Sequence, residues 1–196
     1  MRYPRPALVL VFVLTLGAAA AASAESDVFC ICTDVTSGPG GGNVEVAVPG
    51  SCTVYLVLAQ PSGSPVLGWE ARVTVEGSAT YVGNWTLTAG MDFDNDTDDF
   101  LVGLGVDGLM PNSAGMVPLL YMTVKLLGEG PLFFKVGPAP GSASFPDGTP
   151  GYLHTLGVNT PATVCSGDFD RPVFTLNNGD ADEQGTWGEV KNLYSQ

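Results

Sequence analysis

Residues 52–75 read CTVYLVLAQPSGSPVLGWEARVTV, and this stretch decides the fold class. Val54, Leu56 and Leu58 alternate with Thr53, Tyr55 and Val57. After a turn-rich break, Trp69, Ala71, Val73 and Val75 alternate with Glu70, Arg72 and Thr74. Only an extended chain places every second side chain on one face, so both runs are strands. The break Gln60-Pro61-Ser62-Gly63-Ser64-Pro65 predicts that they pair as an antiparallel hairpin, with Trp69 and the valines turned inward and Glu70 and Arg72 facing water.

The same pattern repeats on both sides. Residues 28–35 read as a first strand, and Val44, Val46 and Val48 mark a second after the glycine-rich break at 38–42. Residues 80–88 (TYVGNWTLT) are aromatic and β-branched, and Phe100, Val102, Leu104 and Val106 alternate with Leu101, Gly103 and Gly105. Leu120, Met122, Val124 and Leu126, followed by Gly128-Glu129-Gly130-Pro131 and Leu132 to Val136, predict a second hairpin. Residues 137–151 (GPAPGSASFPDGTPG) read as a surface loop laid over the fold. Short strands are expected at 152–158, 163–165 and 173–176. With 26 glycines and 15 prolines and no long helical period before residue 186, the chain reads as all-β. Its expected architecture is an antiparallel two-sheet sandwich, residues 25–178, in which each apolar face covers the other.

Both ends read differently from the middle. Arg2 and Arg5, the apolar run from Ala7 to Leu16 and the small-residue signal Ala22-Ser23-Ala24 identify residues 1–24 as a cleaved signal peptide, too short in its apolar part to span a membrane. Its removal leaves 172 of 196 residues, with five basic against twenty acidic side chains and a net charge of −15. Such a surface repels nucleic acid and anionic lipid. Residues 179–196 read as an acidic linker and one short helix. Thr186 and Glu189 form a capping box, and Trp187, Val190, Leu193 and Tyr194 share a stripe available to a partner. Asp180, Asp182 and Gln184 fall at calcium-loop positions, but Lys191 stands where the closing carboxylate belongs, so the linker reading is preferred.

All four cysteines, Cys30, Cys32, Cys52 and Cys165, belong to the exported part, where thiols oxidise. A bond between Cys30 and Cys32 is awkward across one residue, so these two are expected to pair separately with Cys52 and Cys165.

The most chemically loaded stretch is MDFDNDTDDF, residues 91–100. Asp92, Asp94, Asp96 and Asp98 recur at every second position with Asp99 adjacent, a donor set that could gather around Ca²⁺. Thr97 stands where an EF-hand loop needs glycine, and Gly103 where it needs glutamate, so a solvated acidic turn that keeps a strand edge soluble is the preferred reading over a calcium site. Catalysis has little support. His154 is the single histidine and no nucleophile motif accompanies it. Tyr55, Tyr81, Trp85 and Tyr152 are candidates for stacking on sugar rings or on a partner protein, unless they belong to the core.

From Asn43 to Val136 the chain resembles cohesin-type bacterial β-sandwich modules, most visibly in V-x-G-W-x-A-x-V at Val66 to Val73. The segments YLVLAQPSG, GWEARVTVEG, DFLVGLG and the terminal TWGEVKNLYSQ are similar to a group of secreted proteins of environmental bacteria that end in a V-K-x-L-Y helix. The resemblance implies a sandwich fold and an extracellular address in a bacterium. The combined expectation is a secreted or cell-surface, non-catalytic protein that binds an extracellular protein or polysaccharide. Its rivals are a structural subunit of an extracellular assembly and a secreted hydrolase.

Overall fold

The computed structural model describes residues 26–38, 42–94, 96–155 and 157–179. The leader expected at 1–24 and the helix expected to carry Trp187, Val190, Leu193 and Tyr194 lie outside the described residues. In chain order the strands are β1 (Val28–Cys32), β2 (Gly42–Val44), β3 (Gly50–Ala59), β4 (Val66–Gly77), β5 (Tyr81–Val82), β6 (Thr86–Leu87) and β7 (Met91–Asp92). They continue with β8 (Asp99–Gly103), β9 (Met116–Leu126), β10 (Leu132–Gly137), β11 (Gly151–His154), β12 (Val158–Pro161), β13 (Thr163–Val164) and β14 (Phe174–Leu176). The chain is all-β, as its alternation predicts.

Two sheets form. The first runs β13-β1-β3-β9-β5, with β6 also on β9. The second follows β12-β11-β4-β10-β14-β2, with β8 on β4 and β7 on β8. Pairing is antiparallel except for β1 with β13 and β14 with β2, which are parallel.

Neither expected hairpin exists. β3 pairs with β1 and β9 in the first sheet, while β4 pairs with β10, β11 and β8 in the second. The link at 60–65 crosses from one sheet to the other. Pro61 and Pro65 have no N–H to carry a ladder onward, and Gln60 turns at φ 49°. β9 and β10 are separated in the same way. The two links lie at opposite ends of the sandwich, since the start of β3 at Gly50 faces the end of β9 at Leu126, and the end of β4 at Gly77 faces the start of β10 at Leu132. Alternation demanded only that each apolar face be covered, and facing sheets about 10 Å apart meet that demand without a hairpin.

The core joins Phe29, Ile31, Val54, Leu56, Leu58, Leu120, Met122 and Val124 from the first sheet to Trp69, Ala71, Val73, Phe134, Val136 and Phe174 from the second. Truncating a side chain such as Phe134, which is completely buried, costs about 3–5 kcal/mol. The strand expected at 80–88 is broken into β5 and β6. The strand expected around Val44 to Val48 stops at Val44, and there the Asn177 side chain takes over. It accepts from Val46 N (2.6 Å) and donates to Val46 O (2.9 Å), as a neighbouring strand would.

The cysteines need a correction. Cys30 bonds Cys165 with Cα atoms 5.3 Å apart, closing a separation of 135 residues. In a chain-entropy account such a loop is worth about 4–5 kcal/mol. Cys32 and Cys52 are free thiols. Cys32 lies in the small cluster on the outer side of the first sheet with Val57 and Met116, whereas Cys52 packs against the main core. The two therefore project from opposite faces of one sheet, and no rotamer joins them.

Among the described residues, no helix is long and apolar enough to cross a membrane.

Candidate functional site

The five aspartates of the acidic stretch separate once the chain folds. Asp92 Oδ1 accepts Leu101 N (3.0 Å) and Asp94 N (3.1 Å), Asp94 Oδ1 accepts Asp96 N (3.0 Å), and Asp96 Oδ1 accepts Thr97 N (2.9 Å). The bonds to Asp94 N and Asp96 N are the Asx turns that aspartate makes with its own backbone, whereas the bond to Leu101 N ties the run to β8. Asp99 leaves the run altogether. It opens β8 opposite Arg72, whose Nε and Nη2 donate to its two oxygens at 2.6 and 2.7 Å. The carboxylate raises the Arg72 guanidinium above its ordinary value, chiefly through these hydrogen bonds. A calcium ion needs six to eight oxygens converging on one point. Among the described residues, no three His, Cys, Asp or Glu side chains gather in that way.

Asp96 and Asp98 instead meet the aromatics of β5 and the turn behind it. Tyr81, Asn84 and Trp85 line one wall of an open cleft of about 550 Å³, and Asp96, Thr97 and Asp98 line another. β5 and β6 hang on β9 at the edge of the first sheet, while the acidic loop leads into β8 of the second. The cleft is thus the seam where the sandwich opens. Trp85 packs edge-on against Phe134 at 6.4 Å, and both Trp85 and Tyr81 rest partly on the core, which fixes their orientation. Burial pushes the Tyr81 phenol up, and the Asp98 charge adds to it. The cleft has the acceptors and the rigid rings that polyol recognition uses.

The other candidates go elsewhere. Tyr55 lies tilted against Tyr121 at 6.4 Å on the outer side of the first sheet. Tyr152 is completely buried, and its hydroxyl bonds Asp27, Gly63 N (3.1 Å) and Ser62 Oγ (3.3 Å), tying the start of β1 to the link at 60–65. His154 stacks beside Tyr152 at 5.6 Å, with Nδ1 near Thr155 Oγ1 at 3.1 Å.

A second pocket, about 280 Å³, was not foreseen. It lies on the outer face of the second sheet, between β4, β8 and residues 138–150. β10 and β11 pair with consecutive stretches of β4, Arg72–Gly77 and Val66–Glu70, so they form one interrupted edge. The chain between them leaves the sheet and returns over Glu70, which corrects the expectation that Glu70 faces water. Only 3% of Glu70 is exposed, and it accepts the Ser142 hydroxyl. Alternation could not reveal this cover, since it marks the outward face without saying what lies on it. The one signal was Phe145, a large apolar residue within a stretch otherwise rich in Pro, Gly and Ser. In comparisons with known proteins, no family model, no curated protein and no solved structure matches the chain.

Proposed function

We propose that the chain is an exported or cell-surface, non-catalytic β-sandwich protein of cohesin-like type that binds a neutral polysaccharide in the seam between its sheets. The observation that carries this reading is the meeting of Tyr81 and Trp85 with Asn84, Asp96 and Asp98 in one cleft of about 550 Å³. Aromatic faces take the C–H side of a sugar ring, while carboxylates and an amide take its hydroxyls. The acidic wall and the chain's net charge of −13 disfavour anionic polymers. The Cys30–Cys165 bond suits an oxidising compartment. His154 has a threonine hydroxyl and a tyrosine ring beside it rather than an activated nucleophile, which supports a binding role.

Affinity electrophoresis through gels containing a neutral glucan, xylan or mannan tests the reading. Retardation by at least one polymer is expected, and Trp85→Ala or Asp98→Asn should weaken it about tenfold or more. Retardation unchanged in both variants, or absent with every polymer, would sink the proposal.

A further inference from the structure

The pocket on the outer face of the second sheet is built around one carboxyl. Glu70 lies at its floor, 3% exposed, and its Oε1 accepts the Ser142 hydroxyl, whose oxygen in turn accepts Phe145 N at 2.8 Å. Among the described residues, no group donates to Oε2. Arg72, two positions along the same face, is committed to Asp99 through both arms of its fork.

The walls are aromatic and seated by glycines. A Cβ on Gly103 would stand 2.8 Å from the Phe93 ring, and one on Gly151 would overlap the Phe145 ring. Neither glycine has a positive φ, so both are small to let a ring lie flat against the backbone, not to permit a turn. Phe145 is 7% exposed, whereas Phe93 at 64% and Leu101 at 44% form an open apolar rim.

We propose that this pocket captures the cationic side chain, lysine or arginine, of a partner protein. Oε2 opens to the pocket rather than being sealed in the protein, and a guest cation supplies both a charge and a donor that no described residue gives it. Two phenylalanine rings beside that carboxyl add cation–π attraction for an ammonium or guanidinium group. A neutral apolar guest leaves the carboxyl unsatisfied, and an anion is repelled. The volume, about 280 Å³, admits one amino-acid side chain and no polymer strand. Phe93, Leu101 and the 63%-exposed Met91 then give a partner backbone an apolar ring around the anchor. The strongly acidic chain, with a net charge of −13, favours a basic partner and speeds its approach. The proposal is independent of the polysaccharide cleft and engages a different face.

The test uses the intact protein and three small probes followed by NMR shifts: n-butylammonium, n-butanol and butyrate. The ammonium should saturate in roughly the millimolar range, moving the signals of Phe93, Leu101 and Phe145. The alcohol should bind at least about tenfold more weakly, and butyrate not at all. Glu70→Gln should remove the preference for ammonium over alcohol. Should that variant fold poorly, Phe93→Ala on the exposed rim should weaken ammonium binding about tenfold with an unchanged melt. Equal affinity for alcohol and ammonium, shifts mapping elsewhere, or no saturation overturns the proposal.

Discussion

Two carboxyls lie beneath the outer face of the second sheet, Asp99 at 6% exposure and Glu70 at 3%. Both belong to the same pair of strands, where Arg72 faces Asp99 and Glu70 faces Leu101. The chain gives Asp99 a guanidinium fork and gives Glu70 a single hydroxyl. A buried charge costs several kcal/mol unless it is paired and hydrogen-bonded. One region therefore closes its own electrostatics, while the other leaves an oxygen facing a cavity lined by aromatic rings. The first arrangement contributes to stability, and the second leaves a carboxyl that no cationic side chain among the described residues meets.

The largest expected effect falls on the self-sufficient region. Asp99→Ala strands Arg72 and frees the start of β8. Removing one partner of a fully buried pair costs about 3–5 kcal/mol, but the Arg72 side chain is 43% exposed and regains water, so about 2 kcal/mol is expected in urea unfolding. A loss under about 0.5 kcal/mol would mean that the pair does not hold the strand, and the contrast with Glu70 would fail.

Next comes the hydroxyl of Tyr152, which bonds Asp27, Ser62 and Gly63. Tyr152→Phe should cost about 1–2 kcal/mol. Burial, and after it the hydrogen bond to Asp27, pushes the phenol above its ordinary value. A group whose folded value is raised contributes fully below its unfolded value, about 10, and loses that contribution as pH rises through the folded value. The gap between wild type and Tyr152→Phe should therefore stay flat from neutral pH to about 9 and shrink above 10. A gap that widened there would reverse the assignment.

Glu70→Met should alter stability by no more than about 1 kcal/mol, in either direction, because an apolar side chain of similar length replaces a carboxyl that holds only one hydroxyl. A loss above about 2 kcal/mol would show that Glu70 is as structural as Asp99. Smallest of all is calcium. With one oxygen each of Asp92, Asp94 and Asp96 held by backbone N–H groups and both oxygens of Asp99 held by Arg72, adding millimolar Ca²⁺ after chelation should move Tm by less than about 1 °C. A rise of several degrees would mean that the loop at 92–98 rearranges to gather them.

The candidate regions were unequally legible. The aromatics at 81 and 85 and the aspartates at 96 and 98 stand out by composition, but their meeting depends on β5 hanging from β9 while β8 lies on β4. Glu70 was hidden more deeply. Its position in an alternating strand marks it as outward, and the loop that covers it folds back from more than 65 residues away.

Local order alone determined that this chain is built of strands, which side chains each strand turns inward, and that its cysteines can cross-link distant segments. Those properties depend on neighbours one or two residues apart, where backbone geometry leaves little choice. Only the tertiary structure decided that β3 and β4 belong to opposite sheets, that Cys32 and Cys52 point away from each other, and that Arg72 meets Asp99 while Ser142 meets Glu70. A strand carries two identical hydrogen-bonding edges, and which partner lies along each is set by packing across the whole core, a choice that no short window of residues contains.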